Sequence, residues 1–456
     1  MTKLASRRTF LLAGSAILLA ACGGPPAAPT AAPAVSGSAG GTQPNAAQAP
    51  AGGGAKVKLR RAFWGSPDQI DIAKQTDKRF LDANPDIEMD FIAIPWENYR
   101  DKLITMIAGG DVPDIMGVDA YWVLNFVERK MLRPLDDKVQ ADKEYASVKV
   151  IKGMFPIPDH HAVAGKTYSN VTVESPRILF YNETMFKDAG IPTPYEQDKA
   201  GKWDWNAYLD TAKKLTKGSG ADKVFGTGSY PLSNSVYPFI QSNGADTMNK
   251  EKTKATLQSA ELLEAVQFQI DLIKVHKVAP LPEENQALGG DYKAFQAKKL
   301  AMLVTGIWGG ADFRNIKDFD WAIAPIPKSP RTGYRRTVYK PNATALPAGS
   351  KSVDQAWRYL SFDPLGQNKS NIDKYTSMTA FEDNKQYFLE KSPVKNARVV
   401  FDAFENNEIS YVPLTTKWLE MEKILNDEIT LARNGEKSLA DAMKTAEPKI
   451  NALFGG

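Results

Sequence analysis

Residues 109–118 read Gly109-Gly110-Asp111-Val112-Pro113-Asp114-Ile115-Met116-Gly117-Val118. Two glycines and a proline break the segment before them, and the short apolar run from Ile115 reads as a buried strand. Upstream, Tyr99, Leu103, Met106 and Ile107 recur at helical spacing. Before them, Ile87 to Ile94 alternates as a strand, with Ile87, Met89, Phe91 and Ala93 on one side. Asn84-Pro85 stops an earlier helix, which follows the short strand Leu59–Trp64 and the turn Gly65-Ser66-Pro67. Downstream, Asp119 leads into a helix that holds Trp122 and Phe126. Strand and helix alternate throughout, which predicts an α/β layer with a mostly parallel sheet.

The same grammar resumes further on. Arg177-Ile178-Leu179-Phe180-Tyr181 reads as a strand, and Asp204 caps a helix running to Leu215. Leu262, Val266, Ile270 and Ile273 form one helix face; Leu300–Thr305 is a strand; Val353, Trp357 and Leu360 mark another helix. Leu439, Met443, Ala446, Ile450 and Leu453 line a final amphipathic helix opened by Ser438, with Asp441 three residues on.

The chain has 456 residues, more than one hydrophobic core usually serves, so two domains are expected. Apolar residues make up 43% and charged residues 24%, which excludes a largely disordered chain. No apolar run reaches the length of a membrane span. Of the net charge of +4, Lys3, Arg7 and Arg8 supply three units, leaving a nearly neutral body. Nucleic acid is therefore not an expected partner.

Those three basic residues precede the apolar stretch Phe10–Ala21, in the order of a signal peptide over residues 1–21. Ser6-Arg7-Arg8-Thr9-Phe10-Leu11 resembles the twin-arginine export motif, though a Sec signal can also carry two arginines. Leu19-Ala20-Ala21-Cys22 resembles the bacterial lipobox, which implies that Cys22, the one cysteine of the chain, is lipidated. Residues 22–55 are rich in Ala, Gly and Pro and carry no charge, so they read as a disordered tether spanning about 30 Å. A body without cysteine must be stabilised by its core rather than by disulfides.

Several segments resemble the extracellular solute-binding proteins of ABC importers, in the carbohydrate branch that includes maltose-binding protein. They are Phe80–Ile87, Met106–Ile115, Leu179–Glu183 with Phe186–Pro192, Ala301–Trp308, Asp320–Pro327 and Ala356–Phe362. Each is short; they occur in the family's order over nearly all of residues 57–455. The resemblance implies an α/β, two-lobed periplasmic-binding-protein-like fold of type II, with lobes joined by crossing hinge strands. It places the crossings near Thr172–Leu179 and Asp320–Ala324. Lobe one would comprise 56–172 and 322–370, and lobe two 173–321 and 371–456. The implied protein is a monomer that captures a mono- or oligosaccharide and delivers it to ABC permease subunits. With Cys22 lipidated, it would sit on the outer face of the cytoplasmic membrane.

A sugar offers hydroxyls for hydrogen bonds and apolar C–H faces for stacking, so its cleft should combine indoles or phenols with carboxylates and amides. Trp64 and Asp68 close the first strand, as ligand contacts or as core and turn. Asp119 and Tyr121 follow the third strand at its carboxyl end, where open α/β sheets meet ligands; Trp122 there also suits packing. Trp308 stands beside Gly309, whose missing side chain lets a ligand approach the backbone. Trp418 follows Val412-Pro413, as a platform or as helix core. Tyr237, Asn243 and Asp246 belong to a second-lobe loop, and Glu174 and Arg177 flank the first crossing. Trp96 and Glu97 read as structural, and Trp203 and Trp205 as packing around the Asp204 cap.

Enzyme readings find little footing. The three histidines, His160, His161 and His276, form no zinc spacing, and neither GxSxG nor GxxxxGK[ST] occurs. No metal or cofactor is expected. The alternatives are the same fold binding glycerol phosphodiesters or polyamines, and a surface glycoside hydrolase built on one of many possible carboxylate pairs.

Overall fold

A computed structural model describes residues 55–149, 162–163, 165–172, 176–228, 236–339, 342–374, 378–379 and 381–455. The signal-peptide, Cys22 and tether readings, Glu174, and His160-His161 fall outside the described residues.

The first sheet grows from the alternation seen in the sequence. Strand β1 (Val57–Trp64) pairs in parallel with β2 (Ile87–Ile94), from Val57 opposite Ile87 to Trp64 opposite Ile94. On its other edge Arg61 and Ala62 pair in parallel with Ile115 and Met116 of β3 (Ile115–Asp119). Helix α1 (Pro67–Ala83) follows β1, α2 (Trp96–Ala108) follows β2, and α3 (Ala120–Glu128) follows β3. Because successive strand residues face opposite sides, β1 serves two cores. Leu59 packs with Phe80, Trp357, Tyr359 and Leu360 on one face. Ala62 and Trp64 pack with Tyr99, Leu103, Trp122 and Phe126 on the other. The buried Tyr99 hydroxyl donates to the carbonyl oxygens of Ala62 and Gly117 at 3.2 and 2.9 Å, tying α2 to two strands.

Strand β4 (Ser169–Thr172) ends the chain's first passage through this sheet. Strand β5 (Ile178–Asn182) then enters a second, three-stranded sheet, between β6 (Met302–Thr305) and β7 (Trp321–Ala324). Leu179 pairs with Val304 on one side and Ala324 on the other. The chain returns to the first sheet as β8 (Asn342–Ala345), between β3 and β4. The sequence put the second crossing near Asp320–Ala324; Trp321–Ala324 is a strand of the small sheet, and the passage back falls between Ala324 and Asn342.

The expectation of a mostly parallel sheet needs correcting. Within the large sheet only β2, β1 and β3 run parallel; β8 lies antiparallel to both β3 and β4, and the small sheet is antiparallel throughout. A strand that comes back from the other sheet enters from the opposite end, so its direction is reversed. Helical periodicity cannot report that.

The second core is built by α4 (Trp205–Leu215), α5 (Tyr237–Ser242), α6 (Ala260–Lys274), α7 (Asp291–Gln296) and α8 (Gly309–Phe313). Asp204 caps α4, accepting from the Ala207 N–H at 2.9 Å, as its position foretold. Helix α9 (Val353–Ser361) covers the large sheet. Two long helices, α10 (Trp418–Asn434) and α11 (Leu439–Ala452), close the chain, the latter capped by Ser438. Among the described residues no helix is long and apolar enough to cross a membrane.

Candidate functional site

The carboxyl ends of β1, β2 and β3 face the small-sheet side across a cleft of about 1340 Å³. Its first wall is aromatic. Trp64, the last residue of β1, meets Trp96 at 5.3 Å and Tyr99 at 5.0 Å, edge to face. Trp96 lies flat against Trp122, with centroids 5.3 Å apart and planes 20° apart. Gly117 on β3 makes this stack possible: a Cβ there would lie 2.6 Å from the Trp64 ring. Asp119 is buried and caps α3 through the Tyr121 N–H at 3.0 Å. Tyr121 donates its hydroxyl to the Tyr339 carbonyl oxygen, and burial holds its pKa well above the ordinary phenol value.

The opposite wall comes from the small-sheet side. Trp308 follows β6 and is half-buried. Its ring folds back over Gly306, where a Cβ would lie 1.7 Å from it, so the glycine of Gly306-Ile307-Trp308 is a steric necessity. The buried guanidinium of Arg177, on the first crossing, lies 4.6 Å from the centre of that ring. Tyr292 and Thr305 share a hydroxyl hydrogen bond of 2.9 Å beside it. Trp418 opens α10 between Tyr121, at 6.3 Å, and Tyr237, at 5.9 Å. Polar groups intersperse the rings, including Asn170, Asn342, Gln367, Asn371, Glu422 and Asn426.

Burial raises the carboxyl groups of Asp77, Asp291 and Asp312 in the lining. Burial pushes Asp291 up to about 7, against a hydrogen bond from Asn285 and the attraction of Arg433. Burial pushes Asp312 up to about 6; the Asp68 carboxylate raises it further, while Ser66, Gln69 and Lys293 oppose the shift. Deeper in the cleft, Arg61 donates to Asp77 at 2.5 Å and Tyr359 to the other Asp77 oxygen at 2.7 Å. Carboxylates outnumber cations along the lining.

Of the residues singled out from sequence, the structure brings Trp64, Asp119, Tyr121, Trp308 and Trp418 to this cleft. Trp96, Glu97 and Trp122 join them, although the sequence assigned Trp96 and Glu97 to structure. The other described ones stand outside the lining. Asp68 faces Arg314 at 3.6 Å, and Gly309 is buried at the start of α8. Tyr237 is fully buried, donates to Asp246 and shares a hydroxyl hydrogen bond with Thr247. Asn243 donates to the Glu261 carbonyl and to Glu264, and accepts from Ser329 at 2.7 Å. The aromatic and amide character that suggested Tyr237 and Asn243 is spent on holding their own loop. Trp203 donates to the Pro325 carbonyl at 3.0 Å and packs, as read.

Residues 289–293 were missed. Gly289 and Gly290 adopt φ of +80° and +87°, a left-handed pair that carries the chain along the cleft into Asp291 and Tyr292. The Gly-Gly dipeptide before an acid and an aromatic was the available signal. Among the described residues no cluster of three or more His, Cys, Asp or Glu could hold a metal ion.

Two sheets linked by crossing segments, with a ligand-sized cleft between them, define the type II periplasmic-binding-protein fold. The chain belongs to the bacterial extracellular solute-binding protein family, whose model matches residues 66–362. An ABC substrate-binding protein of Listeria monocytogenes, solved in complex with cycloalternan, superposes with a TM-score of 0.78 at 26% identity, over 88% of this chain and 99% of that one. A maltose-bound protein of T. maritima gives a TM-score of 0.74 at 18% identity, over 87% and 100%. An arabinooligosaccharide-binding protein of Halalkalibacterium halodurans is 22% identical over 86% of this chain and 88% of its own. The chain is a binding protein and not an enzyme.

Proposed function

We propose that this protein captures a carbohydrate between its lobes and hands it to an ABC permease. The observation that carries the reading is the cleft itself, with indoles on both walls and carboxylates and amides between them. Indole faces match the C–H faces of a pyranose, and Asp119, Asn342 and Glu422 are suited to accept from its hydroxyls. A sugar touching both walls favours the closed arrangement, because only that arrangement makes both sets of contacts. The excess of carboxylates disfavours a glycerol phosphodiester, whose charge they would repel. The sugar-bound relatives support the same ligand class.

On this reading Cys22 carries a lipid anchor, residues 22–55 are the tether, and the monomeric body works at the outer face of the cytoplasmic membrane. The lobes divide where the chain passes between the two sheets. Tryptophan fluorescence of the purified chain, titrated with a panel of sugars, tests the ligand class. One sugar series should change the emission saturably and be recovered intact. Consumption of the sugar would place the protein among hydrolases instead.

A further inference from the structure

We propose that Arg335 is the positioning residue of the hinge: its buried guanidinium clamps the crossing segments to the small-sheet lobe, so that the two lobes turn about one fixed axis. This rests on the ligand-capture reading above, but its test needs no ligand.

The crossing segments lie side by side. On the first crossing, the Arg177 N–H donates to the Val338 carbonyl at 3.0 Å, and the Arg177 carbonyl accepts from the Thr337 hydroxyl at 2.5 Å. On the other side, Thr337 and Val338 pair in parallel with Ile409 and Ser410. The Thr337 N–H donates to the Glu408 carbonyl at 2.7 Å, and the Tyr339 N–H to the Ser410 carbonyl at 2.9 Å. From this ribbon the chain runs on to Asn342 in one segment and to Trp418 in another, and both line the cleft. A tilt at the root of the ribbon is therefore carried into the cleft.

Arg335 stands at that root, two residues before Thr337, and is only 5% exposed. Its Nη1 donates to the Ile326 carbonyl, just past β7, at 2.9 Å. Its Nη2 donates to Asp198 of the helix Pro194–Lys199, which packs on β7. Its Nε lies 3.3 Å from a carboxylate oxygen of Glu408, the residue before the strand Ile409–Ser410. Between Ile326 and Arg335 the chain doubles back: the Ser329 N–H donates to the Tyr334 carbonyl at 3.0 Å, and the Gly333 N–H to the Ser329 carbonyl at 2.9 Å. One side chain thus joins two anchors on the small-sheet side to two strands of the ribbon.

The residue type suits the task. A guanidinium is a rigid planar fork that serves several acceptors in fixed directions, whereas an ammonium is a single flexible point charge. A buried ion pair adds little net stability over well-packed apolar side chains. What this one supplies is a single arrangement of four chain segments.

The test is pulsed dipolar spectroscopy on the ligand-free full chain carrying Cys22→Ser, with nitroxides at Lys102→Cys of α2 and Lys213→Cys of α4. Both positions are exposed, one on each lobe. A control pair, Lys213→Cys with Lys444→Cys of α11, lies within the small-sheet lobe, where the Leu257 N–H ties α11 down by donating to Glu447 at 2.8 Å. Arg335→Lys keeps the charge and loses the fork. It should widen the interlobe distance distribution about twofold and leave the control pair as narrow as in the parent. Glu408→Gln keeps Arg335 paired with Asp198, and should widen the interlobe distribution less, again without moving the control pair. Should Arg335→Lys fail to fold, Glu408→Gln decides by the same readings. An interlobe distribution as narrow as the parent's would overturn the inference, and so would a control pair that broadens equally, which would reduce Arg335 to packing within its lobe. Either result leaves the carbohydrate reading standing; that reading fails separately, if no sugar changes the tryptophan emission.

Discussion

The side-chain amide of Gln69, in the first turn of α1, donates to the Asp312 carboxyl group of α8 at 3.1 Å, across the mouth of the cleft. The other end of that amide accepts from the Ser66 N–H at 3.2 Å and completes the α1 capping box. One side chain therefore both starts a helix and bridges the lobes. Asp68 and Arg314 face each other across the same gap at 3.6 Å.

This bridge makes ligand affinity depend on pH. With Gln69 and Asp312 in contact, Asp312 is pushed up to about 6 by burial and by the Asp68 carboxylate, with Lys293 and the hydrogen bonds of Ser66 and Gln69 opposing. Opening readmits water and returns the group toward about 3.9. The closed form thus takes up a proton that the open form releases. Its extra stability is complete below about pH 4 and is lost as the pH rises through about 6. Sugar affinity should be several-fold higher at pH 5 than at pH 7.5, and Asp312→Asn should flatten that profile. A parent profile that is flat between these values would refute the linkage.

Gly306→Ala should cost about tenfold or more in sugar affinity, because the new Cβ takes the space of the Trp308 ring. The body should still fold, since Trp308 is only half-buried. Calorimetric titration together with a melting curve separates the two effects.

Asp77→Ala leaves the buried Arg61 guanidinium without its carboxylate. Removing one partner of a buried pair costs about 3–5 kcal/mol, which denaturant unfolding will read directly. Replacing both residues with apolar side chains of similar volume should cost far less.

Asp291→Asn should stabilise the ligand-free protein at pH 8 and leave it unchanged at pH 4. Burial pushes this carboxyl group up to about 7 from about 3.9, so the cost of keeping it in the fold grows as the pH rises from about 4 to about 7 and is complete above that. The expected gain at pH 8 is up to about 4 kcal/mol, measured as a shift in the unfolding midpoint.

Much of this fold was legible in short patterns. The Asp204 and Ser438 caps, the strand β1 and the alternation of β2 are local physics, and they stand where the sequence put them. Strand direction after a crossing was not local, and so the antiparallel β8 and small sheet were missed. The site divided along the same line. Asp119, Tyr121 and Trp308 follow strand ends, where α/β sheets meet ligands, and all line the cleft. Tyr237 and Asn243 have the right chemistry for a sugar, but their partners, Thr247, Glu264 and Ser329, become visible only in three dimensions. Trp96 shows the converse. Its place after the second strand reads as structural, yet it stands in the cleft lining against the buried Trp122.

The most direct test of the central claim is the melting temperature of the purified chain against neutral sugars, glycerol phosphates and polyamines, with each ligand assayed afterwards for chemical change. Carbohydrate capture predicts a rise with one sugar series alone, equivalent to about 2.7 kcal/mol at one hundred times Kd, with the sugar recovered intact. A rise with a glycerol phosphate or a polyamine, and none with any sugar, would contradict it.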